Sequence, residues 1–250
     1  PSHYRPGEKD ILLVSYPGAG MQELRKVISE VLYGYSGESP QDLDFFIPDL
    51  QVVSNWNRIV SSDFHFVKSH SPYFSTDKVL NGFRKIIYLK RDPTQTLASQ
   101  FRFLQSAGRY SESADQFLKD SLNGLIWPGS LSSHLQSWTE NLPSSLQSKM
   151  FIVSVAELDE APHQTLHALF SFCGLTIDRE KIDLALARCA GKSSIKSWFS
   201  RTRGVEQDLV ENWKDLVAQS LDARLTPEDD ARILLNPSSS QGDRHVRDTH

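Results

Sequence analysis

The sequence predicts an α/β fold: three layers built around a central, mainly parallel sheet. Three segments in fixed order carry that prediction. Asp10-Ile11-Leu12-Leu13-Val14-Ser15 is a short apolar run that passes through Tyr16-Pro17 into Gly18-Ala19-Gly20. Phe66-Val67-Lys68-Ser69-His70-Ser71-Pro72 is a second run, ending on a basic residue and a histidine. Lys85-Ile86-Ile87-Tyr88-Leu89 is a third, followed by Lys90-Arg91-Asp92-Pro93, with Ser99 eight residues after Arg91. Short apolar runs without polar alternation suit strands covered on both faces, as parallel strands are.

The elements follow in order. After the first strand and its glycine turn, Leu24, Val27, Ile28, Val31 and Leu32 recur at helical spacing. Residues 34–62 are rich in Gly, Ser, Pro and Asp and read mainly as loop. Strands are expected at 64–68 and 85–89, and a helix over 94–107, just after Asp92-Pro93. Further helices are expected over 113–123 and 130–141. Residues 150–155 read as another strand, and 162–173 as a helix closed by Gly174. Helices over 179–189 and 209–221 complete the pattern. Residues 1–236 read as one domain, and the Pro-Ser-Ser-Ser-Gln-Gly start of 237–250 as a disordered tail.

Length suits one sizeable core and by itself also permits two small domains. The net charge of −4 supplies no global field for nucleic acid or an anionic membrane, so any anion site must be local. Neither nucleic acid nor membrane is therefore an expected partner. Cys173 and Cys189 sit in helical patterns and read as buried small hydrophobes or free thiols, with little suggestion of a disulfide framework. No apolar run approaches a membrane span, and the N-terminus lacks a signal-peptide core. A reducing, cytoplasmic setting is the expectation. No metal-ligand spacing stands out.

Gly18-Ala19-Gly20 lies between a strand and a helix. Without Cβ atoms at 18 and 20, backbone N–H groups can approach an anion, and the helix start adds positive partial charge. The same tripeptide also serves as a tight turn that uses glycine for geometry alone. It lacks the Gly-Lys-Ser/Thr ending of a Walker loop, which argues against a P-loop kinase. His70 follows a strand, on the sheet edge where α/β proteins bind ligands, and an imidazole there can accept a proton from a hydroxyl or amine. Its alternative is a strand end hydrogen-bonded to a loop. Lys68, two positions earlier, is predicted on the same face and can serve the same anion. Arg91 follows a strand too and suits bidentate phosphate contact, against the alternative of a pair with a carboxylate. Tyr73, Phe74, Phe103 and Trp127 are apolar residues for an acceptor pocket or, equally, for the core.

The three segments resemble the cytosolic-type sulfotransferases, which use 3′-phosphoadenosine 5′-phosphosulfate (PAPS). The family opens with Tyr-Pro-Lys-Ser-Gly-Thr-Thr-Trp, here Tyr16-Pro17-Gly18-Ala19-Gly20-Met21-Gln22-Glu23. Its Lys-Thr-His-Leu-Pro is similar to Lys68-Ser69-His70-Ser71-Pro72. Its Arg-Asn/Asp-Pro with a later Ser is similar to Arg91-Asp92-Pro93 and Ser99. Gly129-Ser130-Leu131, His134 and Trp138 resemble its Gly-Ser-Trp…His…Trp helix, and Arg201-Thr202-Arg203-Gly204…Asn212-Trp213-Lys214 its closing element.

The resemblance implies that PAPS is the co-substrate and 3′,5′-bisphosphoadenosine the product, without a metal. Arg91, Ser99, Arg201, Arg203 and Gly204 would hold the 3′-phosphate, and the turn of Gly18, Ala19, Gly20, Met21, Gln22 and Glu23 the 5′ end. His70 would deprotonate a small-molecule acceptor, with Lys68 beside it. The departures concentrate in the turn: the family lysine is Gly18, its hydroxyls are Ala19, Met21 and Gln22, and its adenine-stacking aromatic is Glu23. The family's adenine-facing Tyr aligns near Val155, and its dimer motif is not evident after Lys214, so oligomeric state stays open. The expected function is sulfuryl transfer to a hydroxyl or amine. The alternative is a catalytically impaired relative that binds a nucleotide or a protein partner.

Overall fold

A computed structural model describes residues 6–35, 40–52, 65–74, 78–191, 198–199 and 207–222. Strand β1 (Asp10–Ser15) is buried along its whole length. It lies between β2 (His65–Ser69) and β3 (Lys85–Lys90), with β4 (Met150–Ser154) beyond β3. The order is β2-β1-β3-β4 and every pairing is parallel. Val14 pairs with Ser69 on one side and Tyr88 on the other, so the three strands end nearly level. Whatever follows them emerges on one edge.

Alternating side chains of β1 feed two core layers, which is why its run is apolar at every position. Ile11 and Leu13 pack with Leu24, Val27, Ile28 and Val31 of α1 (Met21–Tyr33). The same layer holds Leu166 and Phe170 of α8 (Pro162–Phe172) and Ile182 and Leu186 of α9 (Arg179–Ala190). Leu12 and Val14 face the other way, toward Val67, Ile86, Tyr88 and Trp138 of α5 (Leu131–Thr139). Each fully buried aliphatic side chain contributes about 1.5–3 kcal/mol of transfer free energy. A third cluster joins Tyr16 to Leu97 and Phe101 of α3 (Pro93–Ser106), Phe117 of α4 (Ala114–Leu122) and Trp213 of α10 (Gln207–Asp222).

Helix starts follow their sequence signals. The Asp92 side chain accepts from Gln95 N at 2.9 Å, with Pro93 in the first turn of α3. Ser113 and Ser130 cap α4 and α5. Both thiols are free, with Cys173 buried.

Four stretches differ from the sequence reading. Within 34–62, α2 (Pro40–Phe46) forms, and Phe46 stacks on Tyr33 at 5.2 Å between ring centres. The aromatic contact, rather than local propensity, favours helix there. Two short helices, α6 (Ser144–Gln147) and α7 (Val155–Glu160), were not expected; α7 is held by a capping box between Ser154 and Glu157. A 3₁₀ turn spans Lys78–Gly82. The segment 237–250 lies outside the described residues.

Candidate functional site

The level strand ends bring the three singled-out segments together. The turn after β1, His70 after β2 and Arg91 after β3 line one open cleft of about 2480 Å³. Gly18, Gly20, Met21, Gln22, Glu23, Lys68 and Ser99 line it as well. Ala19 lies in the turn but is buried at 2 % exposure, and its N–H donates to the Tyr16 carbonyl at 3.2 Å, so neither its side chain nor its N–H is offered to a ligand. Arg201, Arg203 and Gly204 lie outside the described residues.

His70 is held by β1. Its Nδ1 lies 2.7 Å from the Ser15 carbonyl oxygen, which can only accept, so Nδ1 carries the proton. Nε2 is then left with its lone pair. Burial lowers the His70 pKa to about 4, with the Lys68 charge acting in the same direction. The Ser15 carbonyl and Asp49 oppose that shift. The imidazole is therefore neutral at pH 7, the state required of a proton acceptor. The Trp127 ring stands nearly perpendicular to it, with 6.4 Å between ring centres.

The loop after His70 is pinned from α5. Trp138 Nε1 donates to the Ser71 carbonyl at 3.0 Å, and Tyr73 N donates to Ser137 Oγ at 3.0 Å. His134, 1 % exposed, meets the Tyr88 hydroxyl through Nδ1 at 3.0 Å. Its pKa falls to about 3, first through burial and then through nearby His70.

The turn is tighter than its glycines alone suggest. Gly18 and Gly20 adopt φ +90° and +93°, a region in which L side chains are strained. A Cβ on Gly18 would stand 2.3 Å from the Thr96 carbonyl oxygen and 3.0 Å from Gln100 N. The α3 backbone occupies the space a side chain would need. Gly20 starts α1 without a side-chain cap, so no side chain satisfies the first-turn N–H groups there, and Gly20, Met21, Gln22 and Glu23 line the cleft. Beyond it lie Phe199 and Val155, whose oxygen and methyl approach a Gly20 Cβ to 3.4 and 3.6 Å.

Arg91 closes the arrangement. Its Nη1 donates to the Gly18 carbonyl at 3.2 Å and its Nε to Gln95 Oε1 at 3.2 Å. Burial lowers its pKa, against the attraction of Glu23, Asp159 and Asp92. Glu23, where an aromatic was the family pattern, is thus a carboxylate acting on Arg91. Lys68 differs from expectation in one respect. Its Nζ contacts Asp49 Oδ2 at 2.5 Å in a buried pair, so its charge is already matched.

Sequence reading missed Asp49 and Arg25. Arg25 is 1 % exposed and donates to Asp44, to the Ile47 carbonyl and to Gln22 Oε1. Its signal was a charge one position after Leu24, on the apolar side of α1; its partners Asp44 and Ile47 sit in a stretch read as loop. Of the apolar candidates, Phe74, Phe103 and Trp127 line the cleft and are exposed, while Tyr73 packs on Trp138 in the core. Among the described residues no metal-binding cluster occurs, and no helix is long and apolar enough to cross a membrane.

The residues suit a phosphate-bearing ligand unevenly. The Arg91 and Ser99 side offers a cation and a hydroxyl. The turn offers backbone donors and the Gln22 amide. Residues 8–226 match the sulfotransferase domain. The chain belongs to the sulfotransferase family. Human sulfotransferase 4A1 is 23 % identical over 187 residues, covering 72 % of this chain and 65 % of that protein. The chain thus spans just under two thirds of that relative. Sulfotransferase 2A1 of Macaca fascicularis is 21 % identical over 230 residues, covering 86 % of this chain and 76 % of its own length. Among solved structures, mouse sulfotransferase SULT7A1 complexed with PAP superposes with a TM-score of 0.64 at 18 % identity, covering 94 % and 88 % of the two chains. Retinol dehydratase in complex with retinol and PAP gives 0.58 at 13 % identity, covering 96 % and 84 %. At these identities the likeness shows the sulfotransferase fold.

Proposed function

We propose that this sulfotransferase-family chain transfers the sulfuryl group of PAPS to a hydroxyl or amine of a small-molecule acceptor. His70 is the general base. The observation that carries the reading is the Ser15 carbonyl fixing the proton on His70 Nδ1, with Nε2 left as acceptor in the cleft shared with Arg91. The nucleotide supplies the sulfuryl group: the acceptor oxygen or nitrogen bonds to sulfur, the sulfur–oxygen bond to the 5′-phosphate breaks, and the acceptor's proton goes to Nε2. Arg91 and Ser99 bind the 3′-phosphate, joined by Arg201, Arg203 and Gly204. The turn at 18–23 binds the 5′ end through backbone N–H groups and Gln22. Lys68 beside His70 is the candidate for the missing turn lysine, and releasing it from Asp49 is the condition. Positioning and neutralisation by these groups can carry such a transfer without a metal. The acceptor lies against Phe74, Phe103 and Trp127, and the work is done by one domain, residues 1–236, in the cytoplasm.

A second reading rests on Gly18. With no lysine in the turn and α3 filling its place, the chain is a nucleotide- or partner-binding relative without transfer activity. Calorimetric titration with 3′,5′-bisphosphoadenosine, against 5′-AMP, is the first test. Micromolar binding that depends on the 3′-phosphate and weakens about tenfold or more in Arg91→Ala supports the nucleotide site. An acceptor screen with PAPS then separates the readings: sulfated product lost in His70→Ala supports transfer, and binding without product supports the second. No binding removes both nucleotide readings.

A further inference from the structure

Arg25 is an unusual residue for the inner side of α1. It is 1 % exposed, and both terminal nitrogens of its guanidinium are engaged. Nη2 donates to Asp44 Oδ1 and to the Ile47 carbonyl, each at 2.5 Å. Nη1 donates to Gln22 Oε1 at 2.8 Å. A buried cation of this kind is expensive unless its geometry is fixed, and here three acceptors fix it.

The consequence falls on Gln22. Guanidinium has donors only, so the amide must turn its oxygen to Arg25. Its nitrogen, with two hydrogens, points away from that contact. Gln22 lines the cleft beside Gly18, Gly20, Lys68, His70 and Arg91, and its Nε2 has no partner among the described residues. A hydrogen bond from a cation to an amide oxygen polarises the amide and strengthens its N–H donors. The turn, which cannot hold a side chain at position 18, thus has a polarised amide donor at Gln22 instead.

We infer that Arg25 is a positioning residue that fixes and polarises the Gln22 amide toward the 5′-phosphosulfate. In place of a direct cation in the turn, Gln22 Nε2 donates to the 5′-phosphate end, and Arg25, paired with Asp44 and bonded to the Ile47 carbonyl, holds and polarises it. The inference rests on the nucleotide reading above.

The test compares two ligands, 3′,5′-bisphosphoadenosine and adenosine 3′-monophosphate, by calorimetry on the full chain. Gln22→Leu removes the amide. Gln22→Glu keeps an acceptor for Arg25, and so the fold, but replaces the donors by negative charge. Both variants should weaken the bisphosphate about tenfold or more and leave the 3′-monophosphate unchanged. Gln22→Glu should melt no lower than the parent, because its carboxylate still meets Arg25. Arg25→Lys should weaken the bisphosphate alone, and should add nothing in a Gln22→Leu background, since it acts through that amide. Parental affinity for the bisphosphate in Gln22→Leu and Gln22→Glu overturns the inference while leaving the nucleotide reading intact. Equal losses for both ligands overturn it too, by showing general damage. A parent chain that binds neither ligand removes the nucleotide reading and this inference together.

Discussion

The His70 Nδ1 donates to the Ser15 carbonyl across 2.7 Å, so the last residue of β1 decides which nitrogen of the histidine carries its proton. Ser15 and His70 are far apart in sequence and meet because β1 and β2 run parallel and end level. The contact defines both the tautomer and the aim of Nε2.

With the imidazole pKa pulled down to about 4, His70 stays deprotonated through the mildly acidic range. A base is lost when it is protonated, so the acid limb of the rate falls near that value, not near 6.5. Transfer from PAPS should stay level between about pH 7.5 and 5.5. A rate that halves near pH 6.5 would show that His70 is not the base or is not buried in solution. His70→Ala should lower turnover by roughly 10² to 10⁴ while retaining bisphosphate affinity.

His70 and His134 also tie stability to pH. Their folded-state pKa values, about 4 and about 3, lie below the ordinary 6.5. Between those values the unfolded chain binds protons that the folded chain does not. Stability therefore rises with pH from about 4 to about 6.5 and levels above it. His134→Gln keeps a polar partner for Tyr88 and removes one titrating group. Its melting temperature should change less steeply across that window than the parent's, and an identical slope would sink the assignment.

Gly18→Lys should not repair the turn. The substitution demands φ near +90° from a side-chain residue and drives its Cβ to 2.3 Å from the Thr96 carbonyl. A loss of more than about 2 kcal/mol, a melting drop of about 5 °C or more, is expected, with no gain in transfer. A stable Gly18→Lys variant with higher turnover would mean that α3 yields, and that the turn is not set by packing.

Asp49→Asn separates stability from affinity. Removing the carboxylate leaves the buried Lys68 ammonium with a weaker partner and should cost up to about 3 kcal/mol. The freed charge faces the cleft, so bisphosphate binding should tighten as the melting temperature falls. Looser binding in a folded Asp49→Asn protein would show that the ion pair holds Lys68 in its useful position instead.

The extent of legibility varies by residue. Ile11 to Val14 read as a central strand because burial on both faces leaves no polar position, and the structure has them there. Asp92-Pro93 announced α3 because a cap and a first-turn proline act within a few residues. The helix at Pro40–Phe46 was hidden, since its local composition is that of a loop and its Phe46 anchor meets Tyr33 of another helix.

The site divides along the same line. Composition, periodicity and the glycines act over a few residues, so the chain alone determined the strands, the turn and the order in which His70, Arg91 and Ser99 follow them. Only the tertiary structure decided what those residues can do. It laid the α3 backbone where a Gly18 side chain would go, matched Lys68 with Asp49, and clamped Arg25 so that Gln22 turns its nitrogen outward. Each of these is a close fit between separately folded elements, set by how the layers stack, and no local pattern encodes that distance.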